Sequence, residues 1–84
     1  MAWLHIIWDL DEELEGNVRH ISEHGISKAE VAEVLADPVS FEESRSSGQP
    51  VAIGVTATGR AILVVYERID VDTVYPITAY ELEE

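Results

Sequence analysis

The sequence predicts an α+β domain of order β-α-α-β-β-β-β, an antiparallel sheet with two helices packed on one face, and three observations carry that prediction. Apolar residues recur at helical spacing in the first half of the chain, beside two N-terminal capping signatures. From Phe41 onward the period changes to two. The later apolar runs are separated only by short turn-type connections, which suit antiparallel neighbours.

Trp3 to Trp8 is a short apolar run of β-formers closed by Asp9-Leu10-Asp11, and it reads as the first strand. Regular alternation would point Trp3 and Trp8 to opposite faces. Asp9 is placed to cap a helix beginning just after it, with Glu12 three residues on as in a capping box, and Leu14, Val18 and Ile21 form that helix's buried stripe. Gly16 inside it costs about 1 kcal/mol relative to alanine, which predicts irregular first turns. Gly25 after His24 is a C-terminal stop. Ser27-Lys28-Ala29-Glu30 is a second capping box, opening a helix whose Val31, Val34 and Leu35 face the core and which Asp37-Pro38 ends, because a residue before proline avoids the helical region. Four strands follow: Phe41 to Ser44; Val51, Ile53 and Val55 alternating with Ala52 and Gly54; Ile62 to Tyr66; and Thr73 to Tyr80. Their connections contain Ser46-Ser47-Gly48-Gln49-Pro50, Thr56-Ala57-Thr58-Gly59 and Ile69-Asp70-Val71-Asp72.

Eighty-four residues at 46% hydrophobic content suffice for one core, so residues 1–84 form a single domain. No stretch approaches the roughly 20 apolar residues of a membrane span, and the N-terminus carries no basic leader, so a cytoplasmic protein is expected. The absence of cysteine excludes disulfides, thiolate metal sites and a cysteine nucleophile. Seventeen acidic residues against five basic ones give a formal charge of −12. Proteins that bind nucleic acid neutralise phosphates with lysine and arginine, so direct nucleic-acid binding is disfavoured, and a basic protein partner, or self-association, is the expected interaction. Solubility is the plain reading of the same charge.

Few residues carry chemistry. His20 and His24, four apart on a helix, aim two imidazoles at one face with Glu23 nearby, but no third strong ligand is evident, so neither metal nor cofactor is expected. His24 at a helix C-terminus is favoured by the dipole there, or serves as a general base. Arg45, between Ser44 and Ser46-Ser47-Gly48, offers a guanidinium, hydroxyls and a flexible backbone to a phosphate or carboxylate, the more so if Arg60 lies beside it; a solvated hairpin loop has the same composition. Arg60 otherwise pairs with one of many carboxylates. Asp70 and Asp72 flank Val71 as in some calcium loops, yet the glycine and distal glutamate of an EF-hand are missing, so a turn is expected.

Several short motifs then align in order: Trp8-Asp9 after the first strand, Asn17 in the first helix, His24-Gly25-Ile26-Ser27 between the helices, Asp37-Pro38, Arg45, Ile53-Gly54, Gly59-Arg60 before Ile62 to Tyr66, and Ile77-Thr78-Ala79. Together, over almost the whole chain, they resemble the BrnT family of type II toxins, which have the RelE-like ribonuclease fold and are encoded beside an antitoxin. The resemblance implies RNA cleavage with His24, Arg45, Arg60 and Tyr80 as the catalytic candidates, and an antitoxin as partner. Three departures remove positive charge: Glu23 stands where the family usually has lysine, Tyr80 where it usually has arginine, and Glu81-Leu82-Glu83-Glu84 where its tails are often basic. Each well-placed electrostatic donor is worth about 10²–10³ in rate, and a fold is inherited independently of its activity. Four readings therefore stand: a partner-binding toxin-fold protein of a toxin–antitoxin-type module, a stand-alone interaction domain that has lost the nuclease site, a working ribonuclease by inheritance, and an acidic mimic of nucleic acid.

Overall fold

The computed structural model describes residues 5–43 and 48–82. Trp3, the loop residues Ser44 to Ser47 with Arg45, and the tail residues Glu83 and Glu84 lie outside the described residues. The elements run β1 (His5–Ile6), α1 (Asn17–Glu23), α2 (Lys28–Ala36), β2 (Ser40–Glu43), β3 (Pro50–Val55), β4 (Ala61–Asp70) and β5 (Thr73–Glu81), which is the expected α+β order. The five strands form one sheet in the order β1-β5-β4-β3-β2.

From β2 to β5 the strands form an antiparallel meander, with tight turns joining β3 to β4 and β4 to β5. Thr56–Gly59 turns with Gly59 at φ +90°, a conformation that favours glycine, and the Asp70 carboxylate closes the last hairpin by accepting from the Asp72 amide at 3.1 Å. The first strand departs from the all-antiparallel expectation. It adds to the outer edge of β5 in parallel, with His5 opposite Thr73 and Ile6 opposite Val74, so the sheet is mixed. The parallel setting is fixed by a distant contact: the chain leaving β1 runs alongside Pro76, and the Asn17 side chain of α1 donates to the carbonyls of both Ile7 and Pro76.

Ala52, Gly54, Ile62, Val64, Val74, Pro76 and Ala79 occupy the face covered by the helices, where Ile21, Ile26, Val31, Val34 and Leu35 pack on them as one core. Trp8 is partly buried against that core. Gly54 is the point of closest approach: a Cβ there would lie 3.2 Å from Val34 Cγ1 and 3.3 Å from Val34 Cα, so α2 sits down on β3 only because the side chain is missing.

Helix α2 matches the expectation. Ser27 accepts from the Glu30 amide at 3.2 Å while the Glu30 carboxylate accepts from the Ser27 amide at 3.0 Å, and the helix ends before Pro38. Helix α1 starts later than expected. Residues 10–15 form turns, Leu14 is 70% exposed rather than part of a buried stripe, and Gly16 is the N-cap, not an interior residue. The reason is that the Asp9 carboxylate does not cap its own neighbours. It accepts from the Asn17 amide at 2.9 Å, capping α1 from eight residues upstream, and a Cβ on Gly16 would lie 2.7 Å from Asp9 Cβ. The C-terminus is the stop expected at Gly25. Gly25 at φ +76° donates to Ser22 O and Ile26 donates to Ile21 O, both at 2.9 Å, while Ile21 and Ile26 meet in the core.

Candidate functional site

Three of the four candidate residues gather where the hinge between α1 and α2 meets the end of β5. The rings of His24 and Tyr80 lie 6.0 Å apart at 54°. Arg60, placed by the Gly59 turn at the start of β4, reaches the same corner: Nη1 and Nη2 each donate to the Gly25 carbonyl at 3.3 Å. The fourth, Arg45, lies outside the described residues.

The surroundings of Arg60 decide what this corner can do. Nη1 donates to Glu30 Oε2 at 2.5 Å, and Nη2 to Glu81 Oε1 at 3.1 Å. Glu30 therefore works with both oxygens, one closing the α2 cap and the other holding Arg60. The hydrogen bonds that the guanidinium donates to Glu81 and then to Glu30 raise its pKa above the ordinary value. Glu30 is held below the usual carboxylate range, first by the Ser27 amide and also by Arg60. One positive charge against two carboxylates leaves the cluster with a net negative charge. An incoming phosphate would have to displace two carboxylates that each hold one Nη, along with the Gly25 carbonyl that both Nη groups share. The arrangement is chemically a clasp, tying the α2 N-terminus and the helix hinge to the sheet.

The histidine pair separates. His20 is half-buried with Nδ1 3.5 Å from Ile77 O, and no group of three histidine or acidic side chains suited to a metal occurs among the described residues. A cleft of about 330 Å³ opens beside the clasp between Val18, Ile21, Ile26 and Lys28.

A second polar cluster is architectural. Asn17, only 1% exposed, accepts from the Asp9 amide at 2.9 Å and donates to the carbonyls of Ile7 at 2.9 Å and Pro76 at 2.8 Å. Tyr75 completes the cluster by donating its hydroxyl to Asp9 Oδ2 at 2.5 Å. That bond, followed by the Asn17 amide, lowers the Asp9 pKa, and the same carboxylate together with burial pushes the Tyr75 hydroxyl up to about 12. Asp9 and Asn17 were conspicuous in the sequence, but Tyr75 was not: only the parallel register of β1 on β5 brings it to Asp9.

Compared with known proteins, the chain matches no protein-family model, no curated protein and no solved structure.

Proposed function

We propose that this chain is a BrnT/RelE-like toxin-fold component of a toxin–antitoxin-type module that acts by binding a partner protein, and that it does not cleave RNA. The observation that carries this reading is the clasp: the Arg60 guanidinium is engaged by Glu30, Glu81 and the Gly25 carbonyl. A ribonuclease of this kind needs a free cation to hold the scissile phosphate and to stabilise the charge that develops on it. Here the cation beside His24 and Tyr80 is already neutralised, within a chain of net charge −12. The same charge favours a basic partner through electrostatic complementarity.

The test is expression of the protein alone, scored for growth and RNA integrity against His24→Ala, together with co-expression with the neighbouring gene's product. The expected outcome is intact RNA and unimpaired growth for both forms, and a co-purifying complex weakened by salt. RNA cleavage that His24→Ala abolishes would overturn the proposal. Separate elution of the two proteins at low salt would leave the stand-alone interaction domain in its place.

A further inference from the structure

Both helices lie on one face of the sheet, and no described element packs on the other. The register defines that second face. Val51 pairs with Val65, Ile53 with Leu63 and Val55 with Ala61 across β3 and β4, and β5 adds Thr78 opposite Val65 and Tyr80 opposite Leu63. Side chains directly opposite one another share a face, so the β3 and β4 residues form a continuous apolar surface two strands wide, bordered on β5 by Thr78, while the Tyr80 ring lies 6.0 Å from His24 at the hinge between the helices. Val55 is 55% exposed, Ile53, Leu63 and Val65 are half-buried, and Val51 at the far end is buried. A strand exposed on its second face ordinarily alternates to polar residues there, and β3 and β4 do not.

Charge identifies what such a surface would receive. Glu42 lies opposite Val51 on the same face, and Glu67 follows Val65 at the next position on it. No lysine or arginine occurs on this face among the described residues. A second copy of the chain would bring its own −12 charge and its own Glu42 and Glu67 against these carboxylates. A segment alternating apolar and basic side chains would instead cover the valines and leucine while its cations met the two glutamates.

From these features we infer that the helix-free face of the sheet, centred on Ile53, Val55, Leu63 and Val65 and flanked by Glu42 and Glu67, is the docking surface for a basic amphipathic segment of a partner protein. The inference rests on the partner-binding reading above and gives that partner its place and chemistry.

The probe is a synthetic peptide in which lysine alternates with leucine, titrated into the isotope-labelled protein and followed by amide NMR, with a glutamate-for-lysine peptide as control. Shifts are expected to concentrate on β3 and β4, with affinity falling about tenfold in Val55→Lys and the salt dependence shrinking in the Glu42→Gln, Glu67→Gln double variant. Val55 is already exposed, so its substitution leaves the core intact, and the mapping itself needs no variant. Shifts centred on the helices or on residues 10–15, or equal binding of both peptides, would overturn the inference. So would sedimentation of the free protein as a dimer that Val55→Lys dissociates, which would assign the face to a second copy. A partner complex that forms equally well with Val55→Lys would sink the location alone, leaving the partner-binding reading intact.

Discussion

Replacing Asn17 with alanine is the sharpest test of how this fold is held. The side chain makes three hydrogen bonds, one from the Asp9 amide and two to the carbonyls of Ile7 and Pro76, and it is 1% exposed. Alanine fills less space and satisfies none of them, and water has little access to the abandoned groups. At about 1 kcal/mol net for each bond the loss is about 3 kcal/mol. A domain of this size has a total stability of about 4–13 kcal/mol, at 0.05–0.15 kcal/mol per residue. With about 4–8 °C of melting temperature per kcal/mol in this size range, Tm should fall by about 12–24 °C, read by circular dichroism and checked by the urea midpoint. Asn17→Asp should do no better despite its matching shape, because it loses both donations and sets a second carboxylate beside Asp9. A fall below about 4 °C, corresponding to less than about 1 kcal/mol, would refute the reasoning and make the network incidental.

Gly16→Ala should cost about 1–3 kcal/mol because its Cβ would overlap Asp9, whereas Gly25→Ala, strained at φ +76° but with nothing within 4 Å, should cost about 1 kcal/mol; urea melts giving the reverse order would contradict the packing argument. Ser27→Ala removes the α2 cap and should lower stability by about 1 kcal/mol in the same assay, and no change would mean the capping box is decorative. The Asp9–Tyr75 pair predicts stability lost at both pH extremes. Asp9 is depressed in the folded state, so its contribution is full above its unfolded value of 3.8 and disappears as pH falls through the lower folded value; Tyr75 is raised, so its contribution is full below 10.0 and disappears as pH climbs through about 12. Urea midpoints across pH should show Tyr75→Phe flattening the alkaline limb and softening the acid one, and an unchanged profile would exclude the pair as the cause.

What the sequence made legible was local. Both ends of α2, the Gly25 stop and the turns of the last two hairpins rest on contacts within a few residues of chain, which capping, proline and turn chemistry report directly, and the meander strands show in their own period-two alternation. What it concealed depended on distant pairing. Leu14 has helical spacing from Val18 and Ile21, yet the helix does not reach it, because the Asp9 carboxylate is claimed by Asn17 and Tyr75. The parallel setting of β1 leaves no local mark, since a short apolar run reads alike in either direction. At the candidate site, His24, Arg60 and Tyr80 were nominated as chemical groups, and the structure brings them to one corner; no periodicity could reveal that the Glu30 of a capping box would also neutralise Arg60. Two of the residues that carry the family resemblance, Asp9 and Asn17, turn out to hold architecture together, so a resemblance built on them speaks to shape more than to catalysis.

The bond from Asn17 to the Pro76 carbonyl spans 59 residues, and among the described residues β1 pairs with β5 at Thr73 and Val74. During synthesis the amino-terminal segment therefore emerges long before the strand that completes it has been translated. Until then the nascent chain carries an unpaired strand, an unanchored first helix and a β4 open along the edge that β5 will take, while α2 already has β3 and β4 to pack on. Folding of this domain is thus set to finish as a single late event, when the last strand arrives and chain closure locks the first helix in place.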